Sequence, residues 1–105
     1  MGVREPKHVA EASPEEFDKF YKVNVLGTLH CIQAIGKIMR DQPPLTETGR
    51  NGLYEVGRGS IVNLGSCNSL AATKDIVQYT ASKHAVLGLS RNAGEIFPCI
   101  YTFNV

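Results

Sequence analysis

The sequence has no apolar run approaching the roughly 20 residues that a membrane-spanning helix needs. Its opening, "MGVREPKHVAEASPEEF", lacks the apolar core of a signal peptide. Charge of one sign is not in excess either. Eleven Lys and Arg balance ten Asp and Glu to a formal net charge of +1, and the basic residues are dispersed. Without a basic stripe there is no electrostatic footprint for nucleic acid. Neither nucleic acid nor a membrane is expected as a partner. Cysteine is scarce: Cys31, Cys67 and Cys99 are odd in number and irregularly spaced. That pattern argues against a disulfide framework and a zinc site and suits a reducing compartment, so a cytoplasmic location is expected. His8, His30 and His84 form no HxxxH or HExxH pair, and no metal is expected. Neither GxGxxG nor GxxxxGK[ST] occurs, so no loop in this chain is built to cradle a phosphate.

What remains is an ordinary globular composition, 43% hydrophobic and 20% charged, over 105 residues, which is one domain at most. So short a chain buries a small fraction of its surface and sits near the stability threshold. In "SPEEFDKFYKVNVLGTLHCIQAIGKIMRD", Ser13 suits a helix N-cap, Pro14 the first helical position, and Glu16 completes a capping box. Phe17, Phe20 and Tyr21, then Ile32, Ile35 and Met39, recur at helical spacing. This spacing predicts a helix through about Arg40, bent near Asn24–Gly27, where residues are poor helix formers. Pro43 and Pro44 end it.

The stretch "PPLTETGRNGLYEVGRG" reads as a polar surface loop with a turn at Asn51–Gly52. "GSIVNLGS" predicts a short buried parallel strand at Ser60–Leu64. A second helix is predicted from about Ile76 to Glu95, where Ala81, Ser82, Ala85 and Gly88 permit close packing. One strand cannot pair its own backbone groups. Ile100–Val105 is the one weak candidate for a neighbour, so the strand is expected to belong to a larger sheet, with both edges unpaired in this chain.

The chemistry gathers in the second helix. In "VQYTASKHAVLGLS", Tyr79 and Lys83 stand at i and i+4, about 6 Å apart along the axis, on one face. A free phenol, with a pKa of about 10, is a poor base at neutral pH. A neighbouring ammonium favours phenolate, so the pair forms a usable general acid/base for a hydroxyl or carbonyl. Ser66 lies at the carboxyl end of the predicted strand, where open α/β sheets place ligands. Asn24 sits mid-helix, where asparagine is unfavourable. As a hydrolase nucleophile Ser66 is disfavoured, since "NLGSCNS" is not GxSxG. Cys67 has no evident cationic neighbour to activate its thiol.

"YTASK" at Tyr79–Lys83, "GSIVNLGS" ending at Ser66, and "YKVNVLGT" around Asn24 together resemble the short-chain dehydrogenase/reductase family. The serine lies thirteen residues before the tyrosine, and the three motifs run in the family's order. The resemblance covers about residues 13–94. It implies an α/β fold, a fragment of a Rossmann-like doubly wound parallel sheet, and an NAD- or NADP-dependent oxidoreductase acting on a small carbonyl or alcohol substrate. It implies Tyr79 as general acid/base, Tyr79 and Lys83 as cofactor-binding residues, and Lys83 as partner of both the phenol and the nicotinamide ribose. Ser66 is implied to orient the substrate oxygen, and Asn24 to anchor a water in a proton relay. A homo-oligomer is implied for the full-length parent, because the family pairs its two corresponding helices across a subunit interface.

The departures also carry expectations. The family's glycine-rich cofactor loop and NNAG motif lie upstream of this region, and Met1-Gly2-Val3 resembles the family's residues just after NNAG. Residues 95–105 depart from the family pattern, and the loop over Gln42–Arg58 is longer than usual. The chain is thus expected to be a partial dinucleotide-binding domain. A second hypothesis stands beside catalysis: a catalytically silent fragment with at most a helix-mediated association role. The missing cofactor loop discriminates them, since dinucleotide affinity largely depends on it.

Overall fold

The computed structural model describes the backbone of residues 8–96 and 100–103 and the side chains of residues 8–95. Met1-Gly2-Val3, Cys99 and most of the 95–105 tail lie outside the described side chains.

Ser13 opens the first helix as its sequence predicts. Its hydroxyl accepts the Glu16 amide at 3.4 Å and donates to Glu15 Oε2 at 2.7 Å, with Pro14 in the first turn. That hydrogen bond, aided by the local backbone and by Lys19, holds the Glu15 carboxyl below its ordinary value. Helix α1 runs Pro14–Phe20 and α2 runs Gly27–Asp41. Between them Tyr21–Leu26 is a π-helical turn, in which the Gly27 amide donates to the Lys22 carbonyl. The π turn falls where the sequence predicts a bend. β-branched Val23 and Val25 flank Asn24, and all three are weak helix formers. Of the predicted stripe, Ile32 and Met39 are buried, whereas Ile35 is 47% exposed.

The excursion after Pro44 corrects the expectation of a polar surface loop, while its turn at Asn51–Gly52 stands. Strands β1 (Leu45–Gly49) and β2 (Gly52–Gly57) form an antiparallel hairpin, Glu47 facing Tyr54 across the ladder. Tyr54 Oη donates to Glu47 Oε2 at 3.3 Å. At the base Gln42 Nε2 donates to the Arg58 carbonyl, and Arg58 Nε returns a bond to the Gln42 carbonyl at 3.0 Å. The Asn-Gly signal was legible, but almost every residue of both strands is exposed, so no alternation of burial marked the ladder.

Strand β3 spans Ile61–Leu64 and pairs in parallel with β4, Ile100–Phe103, in the register Ile61↔Ile100 to Leu64↔Phe103. The expectation that both β3 edges lack partners is therefore corrected on one edge. Its burial is also half of that expected. Ile61 and Asn63 are part-buried, while Val62 and Leu64 are 60% and 68% exposed. A strand is buried on both faces only when a layer covers each. Helix α3, Val77–Ile96, completes a β–α–β unit and packs against α1 and the π turn. The core is small: Phe20, Val25, Ile32 and Met39 from the first helices, Val86 and Leu87 from α3.

Candidate active site

Helix α3 and the end of β3 position the candidate residues. Lys83 Nζ donates to the Leu64 carbonyl at 3.1 Å, which ties it to the last residue of β3. The same ammonium lies 5.7 Å from the centroid of the Tyr79 ring. Phe20 meets that ring edge-on, with centroids 6.4 Å apart and planes at 87°. The i, i+4 spacing thus brings the Lys83 ammonium near the Tyr79 ring, and Phe20 of α1 touches the same ring.

Ser66 starts a short 3₁₀ turn, Cys67–Ser69. Its hydroxyl accepts the Asn68 amide at 3.2 Å, and its own amide donates to Ser69 Oγ at 3.0 Å. Cys67 Sγ is 3.8 Å from Ser66 Oγ. Ser66 is buried, two residues beyond the carbonyl that holds Lys83. Among the described residues no direct hydrogen bond joins the Ser66 side chain to Tyr79 or Lys83.

Asn24 reaches the pair indirectly. Its Nδ2 donates to Ser82 Oγ at 2.9 Å, and Ser82 Oγ donates to the Tyr79 carbonyl at 2.8 Å. The Asn24 backbone carbonyl accepts the Thr28 hydroxyl at 2.7 Å, an ordinary bond one helical turn back. Ser82 is the residue that reading for chemistry passed over. It stands within "YTASK" but was legible only as a small residue allowing close packing.

An open cavity of about 360 Å³ lies elsewhere, lined by His8, Val9, Lys74, Val77 and Thr80 among others. None of the four candidate residues lines it. Among the described residues, no cluster of His, Cys, Asp and Glu could hold a metal ion, and no helix is long and apolar enough to cross a membrane.

With this geometry in view, residues 1–96 match the family profile for short chain dehydrogenases. The chain is 48% identical over 93 residues to the short-chain dehydrogenase anuF of Penicillium roqueforti, covering 89% of this chain and 34% of that protein. It is 45% identical over 93 residues to srdC of Neurospora crassa, with the same coverage of each. The chain thus spans about a third of the length of these relatives. Among solved structures, 4-hydroxyisoleucine dehydrogenase complexed with NADH superposes with a TM-score of 0.71 at 27% identity, over 92% of this chain and 37% of that one. A gluconate 5-dehydrogenase from Burkholderia cenocepacia, in complex with NADP and tartrate, shares the fold at TM-score 0.70 and 21% identity, over 97% of this chain and 34% of that one. The architecture is α/β and Rossmann-like. The chain belongs to the short-chain dehydrogenase family of oxidoreductases.

Proposed function

We propose that the protein carrying this chain is an NAD- or NADP-dependent oxidoreductase that interconverts a small carbonyl compound and its alcohol, with Tyr79 as general acid/base. The observation that supports this most directly is Lys83. Its ammonium stands 5.7 Å from the Tyr79 ring centroid while bonded to the carbonyl at the end of β3. Such a charge stabilises negative charge developing on the phenol oxygen as the proton leaves. In reduction, Tyr79 Oη gives its proton to the carbonyl oxygen; in oxidation it takes the proton back from the alcohol. Among the described residues the Ser66 hydroxyl accepts the Asn68 amide and has only the weak partner Cys67 Sγ besides, so its hydrogen is available to the same substrate oxygen. Asn24 is assigned the anchoring of a water that returns the proton to Tyr79.

The residues present fit the nicotinamide end of a dinucleotide. Lys83 carries three donors, and the one bond to Leu64 leaves others free for ribose hydroxyls. The bound nicotinamide supplies or accepts the hydride. NAD and NADP are both retained. A reducing, cytoplasmic setting fits the exposed free thiols Cys31 and Cys67.

The test uses a protein of the relatives' length that carries this segment. Tyr79→Phe keeps the ring packed on Phe20 and removes only the transferable proton. Turnover is expected to fall about 10²–10⁴-fold while dinucleotide affinity stays within about twofold. Equal turnover in the variant and the parent would refute the acid/base assignment.

A second reading concerns the chain by itself: catalytically silent, acting through association of its helices. It is favoured by Val23, Ile35 and Ile38, which are 54%, 47% and 59% exposed. Saturable dinucleotide binding by residues 1–105 alone would exclude it.

A further inference from the structure

Ser82 is 3% exposed, and its hydroxyl is used on both sides. It accepts Asn24 Nδ2, from a residue 58 positions away, and donates to the Tyr79 carbonyl. In the α-helical pattern that carbonyl also takes the amide of Lys83, four residues on. One serine hydroxyl therefore sits on the peptide group that links the two members of the proposed catalytic pair. A buried serine could satisfy itself by bonding back to its own helix. Here the bond also secures the π turn, a local geometry that frequently marks functional segments.

We propose that Ser82 is a positioning residue for Tyr79 and Lys83, tying the Tyr79 backbone to Asn24; this rests on the oxidoreductase reading above. The bridge locks the wide turn around Asn24 to the backbone of the acid/base, so the two keep a fixed relation as α3 carries the phenol. A second bridge of the same kind supplies an internal comparison. Asn63 Nδ2 donates to Ser90 Oγ at 2.8 Å, and Ser90 Oγ donates to the Val86 carbonyl at 2.8 Å. It joins β3 to α3 at a position that carries no reacting group.

The experiment uses the native protein that carries this chain. Its variants are Ser82→Ala, Ser90→Ala, Asn24→Ala, the Asn24→Ala/Ser82→Ala double variant, and Tyr79→Phe. Ser82→Cys, which weakens both bonds with little change of volume, replaces Ser82→Ala if that variant does not fold. Two readouts are taken: hydrogen exchange of the Asn24 and Asn63 side-chain amides by NMR, and steady-state kinetics. The kinetics use whichever of a panel of small ketones and aldehydes the parent reduces fastest.

In Ser82→Ala, which removes both bonds of the hydroxyl, exchange at the Asn24 amide should quicken and kcat fall, each about tenfold, with both KM values within about twofold. In the Asn24→Ala background Ser82→Ala should cost less than it does in the parent, since the bond to Asn24 is already gone and only the bond to the Tyr79 carbonyl remains to be lost. Ser90→Ala should release the Asn63 amide and leave kcat within about twofold. Unchanged kcat in Ser82→Ala with the Asn24 amide released would overturn the proposal. So would losses that multiply independently in the double variant, or an equal loss from Ser90→Ala. No carbonyl reduction by the parent, or full turnover in Tyr79→Phe, would instead sink the oxidoreductase reading. In that case the amide exchange alone still reports whether the bridge is made, and an Asn24 amide already unprotected in the parent overturns it.

Discussion

Lys83 serves two neighbours at once, the Tyr79 ring and the Leu64 carbonyl. A residue so placed is not replaceable by one that serves either alone. In a protein of the relatives' length, Lys83→Ala should therefore lower kcat and weaken dinucleotide binding together, each by about tenfold or more. Tyr79→Phe should separate the two. Stopped-flow turnover and fluorescence titration with the reduced dinucleotide measure both quantities, and a Lys83→Ala variant that loses turnover alone would refute the dual role. Glu15 offers a pH-dependent case at the same scale. Its carboxyl lies below the ordinary 4.5, first through the Ser13 hydroxyl and then through its own backbone and Lys19. A depressed carboxylate stabilises the fold above 4.5 and loses that contribution as pH falls through the lowered value. Ser13→Ala should return the Glu15 titration, followed by NMR, towards 4.5 and cost about 1 kcal/mol in α1 stability. An unmoved titration would mean that Ser13 does not set it.

At the scale of elements, what could be read in the sequence was what neighbours in sequence decide. Ser13 and Pro14 start α1 because capping is local, and the π turn lies where Val23, Asn24 and Val25 stand together. Tyr79 and Lys83 met because four residues of helix leave them no alternative. The hairpin escaped because its strands bury nothing, and the Asn24–Ser82 bridge because a contact across 58 positions has no periodicity to betray it. The exposure of Val62 and Leu64 could not be read either, since "IVNL" looks the same whether one face or both are covered. Where the hairpin rejoins the body, Gly59 takes φ 139°, and a Cβ there would lie 2.9 Å from Met39 Cε and 3.1 Å from Met39 Cγ. Met39 is buried, so its side chain would have to shift within the core to make room. Gly59→Ala should accordingly cost about 1–3 kcal/mol in the native protein, from backbone strain and overpacking together. Chemical denaturation measures it, and a midpoint equal to the parent's would show that the strand entry is not so constrained.

For the molecule as a whole, the dimensions decide what residues 1–105 can do alone. The radius of gyration is 17.4 Å and the extents are 60 × 24 × 20 Å. A compact domain of this length has a radius of gyration of about 13 Å. The excess comes with a hairpin that pairs mainly with itself and, among the described residues, a core of six buried apolar side chains. An isolated two-stranded hairpin is marginal at best, and complete domains are held by only about 5–15 kcal/mol. One face of β3 shows Val62 and Leu64, and α2 shows Ile35 and Ile38, to solvent. Surfaces of that kind are normally covered by another layer or another chain. There is also no glycine-rich turn at a helix N-terminus to receive a pyrophosphate within these residues. Expressed alone, the 105-residue chain should show helical circular dichroism, no cooperative melt, elution larger than a monomer, and no binding of NADH or NADPH by fluorescence titration. A sharp melt from a monomeric peak, together with saturable dinucleotide binding, would show that this segment is a self-sufficient domain and that its uncovered faces need no partner.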